Sequence, residues 1–63
     1  MDFVYVLLYG NEWEDIVILL SNEDAINESI NHPNARVEIF SKNAKSGYTP
    51  TYNYYKNGEL IQN

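Results

Sequence analysis

Two apolar runs joined by a short polar connection open the chain: Phe3-Val4-Tyr5-Val6-Leu7-Leu8-Tyr9 and Ile16-Val17-Ile18-Leu19-Leu20. The first is β-branched and aromatic and has a normal strand length. Gly10-Asn11 supplies turn chemistry, and Glu12, Glu14 and Asp15 keep the connection wet. So short a connection predicts an antiparallel hairpin. Side chains alternate between the faces of a strand. Phe3, Tyr5, Leu7 and Tyr9 therefore share one face and Val4, Val6 and Leu8 the other; Ile16, Ile18 and Leu20 oppose Val17 and Leu19. An antiparallel sheet with one solvated face carries polar residues at alternate positions. Here both faces of both strands are apolar, so any fold built on this hairpin has two sides to cover.

The remaining chain supplies one short helix and three more strands. Ser21 reads as a helix N-cap, its hydroxyl placed to accept an orphan amide near Glu23 or Asp24. Those carboxylates sit where the positive end of the helix dipole favours them. Ala25, Ile26, Ser29 and Ile30 form a narrow stripe at helical period, and Pro33 biases His32 away from helical geometry. The expected helix spans 22–31, too short to persist without packing. Residues 36–41 alternate polar and apolar and read as a third strand with Val37 and Ile39 inward. Residues 42–51, with Gly47 and Pro50, read as a loop, and 52–56 as a fourth strand. Asn57-Gly58 is a strong hairpin signal, since a type I′ turn needs positive φ at both central residues, and 59–61 returns as a fifth strand. The expectation is one α+β domain over residues 1–63: a two-layer arrangement of order β-β-α-β-β-β, with one short helix on an antiparallel sheet.

Size and charge narrow the functions. A chain this small buries only about 60% of the surface its unfolded form exposes, so folds of this length lean on disulfides, a metal or a partner subunit. With no cysteine and a single histidine, His32, the sequence rules out disulfides, thiolate metal sites and a multi-histidine zinc site within one chain. Nine acidic side chains face four basic ones, a net charge of −5. Arg36, Lys42, Lys45 and Lys56 are too scattered to track a phosphate backbone or an anionic membrane, which argues against nucleic-acid and membrane partners. The longest apolar run falls far short of the roughly 20 residues of a membrane-spanning helix. Met1-Asp2-Phe3 has neither a basic leader nor a small-residue cleavage site, so a cytoplasmic location is expected. Heavy use of asparagine, isoleucine and tyrosine hints at an AT-rich genome, such as a low-GC bacterium, its phage or a large DNA virus.

No catalytic, metal or cofactor motif emerges. Glu12-Trp13-Glu14-Asp15 is the densest acidic cluster, but it lacks the spacing of a calcium loop and reads as a solvated hairpin tip. A glycosidase pair needs two carboxyls across a sugar-sized cleft, for which so short a chain has little room. His32 lies beside Pro33 with no candidate nucleophile nearby in sequence. Asn27-Glu28-Ser29 matches a glycosylation sequon inside the expected helix, where chance is the better account.

The segments Val4-Tyr5-Val6-Leu7 and Ser21-x-Glu23-x-Ala25 resemble a loose class of very small proteins from bacteria, phages and large DNA viruses. These begin with a strand hairpin followed by a capped helix. The resemblance covers the first half of the chain and implies the fold and a viral or bacterial origin. Its members mostly have no assigned activity, so it implies no functional residue.

Functional expectation rests on the second sheet face. The tail, 48–61, folding back over it, a second copy of the chain, or a different protein would each cover it, and an uncovered patch of this size is an aggregation hazard. The expectation is a non-enzymatic protein–protein interaction module, self-associating or docking onto a larger assembly. Its candidate interface residues are Tyr5, Tyr9, Trp13, Tyr52 and Tyr54, amphipathic aromatics of a kind enriched at interfaces. The alternative is an acidic inhibitor or nucleic-acid mimic that blocks a basic site on a host enzyme; no cofactor is expected under either.

Overall fold

The opening hairpin turns tightly at Gly10, whose φ of 55° lies where glycine is favoured. The structure, a computed structural model, describes residues 2–45 and 47–62. Its elements are β1 (Phe3–Tyr9), β2 (Glu12–Leu19), α1 (Asn22–Asn31), β3 (Ala35–Asn43), β4 (Gly47–Lys56) and β5 (Glu59–Ile61). They build the expected α+β fold: one antiparallel sheet of five strands in spatial order β2-β1-β3-β4-β5, with one helix on one face.

Three boundaries differ by more than one residue from the sequence expectation. β2 begins at Glu12, so the acidic segment is strand and the turn shrinks to Gly10-Asn11. β3 continues to Asn43 and β4 starts at Gly47, so most of the expected loop is paired strand. The tail does not fold back over the sheet. It extends the sheet edge to edge as β4 and β5, because the backbone groups of β3 are satisfied by a neighbouring strand.

Helix α1 has the ends that the sequence specifies. The Ser21 hydroxyl accepts the Asp24 amide at 3.1 Å, and the His32 amide closes the last turn on the Glu28 carbonyl at 3.0 Å before Pro33. Its inner face packs Ala25, Ser29 and Ile26 on Tyr5, Leu7, Leu19, Ala35, Val37, Ile39 and Tyr55, which form the core. The Tyr55 hydroxyl donates to Asn22 Oδ1 at 2.6 Å and ties the start of the helix to β4. At its other end Ser29 is fully buried, and its hydroxyl donates to the Ile26 carbonyl at 2.7 Å while accepting the Gly58 amide at 2.9 Å. The β4–β5 turn thus docks on the helix. Asn57 and Gly58 have φ of 53° and 82°, as a type I′ turn demands. Ile30, expected on the buried stripe, instead lies exposed against this turn, and a Cβ on Gly58 would stand 2.9 Å from its Cγ1.

Two consequences can be measured. Ser29→Ala leaves the Gly58 amide without its acceptor and should lower unfolding free energy by about 1–3 kcal/mol in a denaturant titration; an unchanged midpoint would show that the turn does not depend on the helix. Burial, and next the neighbouring Tyr55, raise the Tyr5 phenol above its ordinary value of 10.0. The folded state then holds its proton longer than the unfolded state does. The stability Tyr5 contributes is fully present below pH 10.0 and is lost as pH climbs from there through the raised value. The tyrosinate absorbance of the wild type minus that of Tyr5→Phe should show one step displaced upward from 10.0.

Candidate functional site

The helix covers the face carrying Tyr5 and Leu7, so the question passes to Val4, Val6 and Leu8. On β1 that second face is already closed: Val6 is 4% exposed and Leu8 not at all. The covers come from either side of β1. Across from Leu8 and Val6 on β3 stand Arg36 and Glu38, directly opposed residues that share their face. Arg36 Nε donates to Glu38 Oε2 at 2.6 Å, and its guanidinium also reaches the Gly10 carbonyl in the first turn. The other cover depends on an irregularity. Leu7 pairs with Val17 and Tyr9 with Glu12, so Leu8 alone faces the four residues 13–16, and β2 bulges there. From this bulge the Trp13 ring reaches Phe40 of β3, centroid to centroid 6.2 Å and edge to face at 79°. β1 lies between β2 and β3, so the indole spans it.

What remains open is an edge. A strand edge offers unpaired backbone groups to any passing strand, and proteins blunt such edges with short strands, charge, proline or bulges. The β5 edge is three residues long. Beyond β5, which pairs only with Tyr54–Lys56, the outer edge of β4 carries Pro50 and a bulge. In that bulge Tyr52 has φ of 67°, and the Thr51 hydroxyl donates to the Ile39 carbonyl at 2.8 Å and accepts the Asn53 amide at 3.2 Å. The first half of the β2 edge carries Glu12, Glu14 and Asp15. Past the bulge that ends at Ile16, its second half carries none of these devices. Ile16, Val17, Ile18 and Leu20 are each between 36% and 56% exposed, on both faces of an edge strand.

The candidate interface residues are not one patch. Tyr5 is buried beneath α1 and is not offered to a partner. Tyr9 lies at the helix side, its hydroxyl 2.9 Å from His32 Nδ1. Trp13 and Tyr54 belong to the second face, Tyr54 opposite Glu38 and Ile61. Tyr52 stands exposed at the β4 bulge. The residues that gather are instead 16–20 of the hairpin itself, whose apolar character on both faces was the signal in the sequence.

Two polar groupings were assembled by the fold. His32 Nε2 lies 3.0 Å from Glu28 Oε2, so with Nε2–H donating to that carboxylate, Nδ1 accepts from the Tyr9 hydroxyl. This row of hydroxyl, imidazole and carboxylate joins the end of β1 to the end of α1. It was not legible because Tyr9 and His32 lie 23 residues apart. An open depression of about 460 Å³ is lined by Asn11, Glu12, Trp13, Glu14 and Asp15, apart from that row. Among the described residues no three His, Asp or Glu side chains converge as ligands of a metal ion. No helix among them is long and apolar enough to cross a membrane.

If Trp13 closes the second face through Phe40, Trp13→Ala and Phe40→Ala should be coupled. A double-mutant cycle read by denaturant unfolding should return about 0.5–1.5 kcal/mol of coupling, whereas strict additivity would mean the two rings stabilise the chain independently.

The chain matches no protein-family profile, no curated protein and no solved structure.

Proposed function

We propose that this protein is a non-enzymatic interaction module that binds by strand addition along the second half of β2. One observation carries the proposal: from Ile16, where the bulge ends, to Leu20, one residue past the end of β2, the edge is apolar and carries no charge, proline or further bulge. Strand addition uses main-chain hydrogen bonds for affinity and alternate side chains for selectivity. Here the added strand would meet Ile16 and Ile18 on one face and Val17 on the other. Glu12, Glu14 and Asp15 lie beside this stretch and set its limit, since a chain paired there would have to desolvate carboxylates. The binding role thus passes from the face of the hairpin, which Trp13 and the Arg36–Glu38 pair close, to its edge.

Ile18→Lys tests this. Ile18 is half exposed, so the substitution should change stability by no more than about 0.5 kcal/mol. A lysine at an edge opposes pairing. Native-condition affinity capture with wild-type and variant baits should recover a stoichiometric companion chain with the wild type and lose it with Ile18→Lys. Equal recovery by the two baits would sink the proposal.

A further inference from the structure

We infer that the strand added to β2 is β2 of a second copy of this chain, antiparallel, with the two-fold axis on Ile18. The inference rests on the strand-addition proposal and names its occupant. Opposed residues of an antiparallel pair must turn their backbone groups towards one another together. In a symmetric pair, residue i therefore faces residue 2k−i, and the axis falls on a residue k. Centring on Ile18 sets Ile18 on Ile18, Val17 on Leu19, and Ile16 on Leu20, one residue past the end of β2. Every one of these contacts is apolar on apolar. Centring on Val17 would set Asp15 on Leu19 and Glu14 on Leu20; centring on Ile16 would set Asp15 on Val17 and Glu14 on Ile18. Each buries carboxylates against aliphatic side chains, which costs more than it returns.

Charge also selects the direction. With the axis on Ile18, Glu14 and the partner's Glu14 fall on opposite sides of it, four residues away each and eight rises apart, past the point where each partner strand ends and its chain turns into α1. At about 3.3 Å per residue the two acidic tips stand roughly 26 Å apart, beyond a Debye length of about 8 Å at physiological salt. A parallel pair would instead set Glu12, Glu14 and Asp15 beside their own copies, where like charges oppose pairing. The acidic half of β2 thus rejects the parallel arrangement and slips towards itself, while its apolar half is complementary to itself; a slip the other way, centred on Leu19, runs past the end of the strand and sets Val17 on Ser21. Pairing in this register makes one continuous sheet across both copies and leaves only the β5 ends and the blunted side of β4 as edges. Closed two-fold symmetry stops the assembly at two, because each copy has one such edge.

The chain has no cysteine, so single cysteines report the register without background. Wild type should sediment at twice the chain mass over a wide concentration range, and Ile18→Lys at the mass of one chain with an unchanged far-ultraviolet circular dichroism spectrum. A short bifunctional thiol reagent should couple Ile18→Cys to itself, and Ile16→Cys to Leu20→Cys in a mixture, but should not couple Glu14→Cys to itself. A dimer in which Glu14→Cys couples as readily as Ile18→Cys overturns the antiparallel register. A monomeric wild type overturns the self-pairing, and the strand-addition proposal then survives only if Ile18→Lys still loses a different companion chain in capture. A dimer that Ile18→Lys leaves intact overturns both.

Discussion

A helix of ten residues covers one face of a sheet, and the sheet here is built on a hairpin whose apolar residues lie on both faces. Most of the irregular geometry answers that imbalance. The bulge in β2 frees Trp13 from the strand's own alternation and lets its ring lie across β1 to Phe40. Opposite, Arg36 and Glu38 place their aliphatic stems on the same face and neutralise one another at its margin. Small proteins without disulfides or metals have few ways to close a second face. Here a single aromatic displaced by a bulge replaces a second layer. The cost of that arrangement falls on β2, whose far side gains no cover.

The ends of helix α1 were legible, because capping chemistry is local: Ser21 meets Asp24 three residues on, and Pro33 follows just past the last turn; its buried face was legible except for Ile30, which the β4–β5 turn leaves exposed. The Asn57-Gly58 turn was legible for the same reason. The boundaries of β2 and β4 were not. Glu12, Glu14 and Asp15 read as connection because a strand residue at an edge has solvent on both faces, and its composition then carries no period. Pro50 read as a loop residue because proline forfeits a ladder hydrogen bond. It stands where β4 has no outer neighbour, so no bond is forfeited. The closed state of the second face was hidden from the sequence. Trp13 and Phe40 are distant in the chain, and only the unequal pairing around Leu8 brings them together.

The candidate site had the opposite fate. Its residues, 16–20, were prominent from the start as half of an apolar hairpin, while the aromatics expected to carry the interface were dispersed by the fold. Tyrosine composition pointed to a surface, but Tyr5 went to the core and Tyr9 to His32. Edge position cannot be read from strand propensity, since it depends on which strands the tail joins. Had β4 and β5 added beside β2 rather than β3, residues 16–20 would be interior and the chain would expose β3.

The place of β1 between β2 and β3 also orders events in time. The β1–β2 hairpin closes a two-residue turn and can form within about 1–10 μs. β3 pairs with β1 across the whole length of α1, so that pairing joins residues such as Phe3 and Ser41 from far along the chain and closes a much longer loop than the hairpin does. Without β3 the hairpin would have both its edges bare, the β1 edge and the apolar second half of the β2 edge among them. Helix α1, capped at one end by Ser21 and followed at the other by Pro33, holds the connection from β2 to β3 to a short, defined length. A compact connection of this kind keeps β3 close to the β1 edge that it covers in the finished molecule.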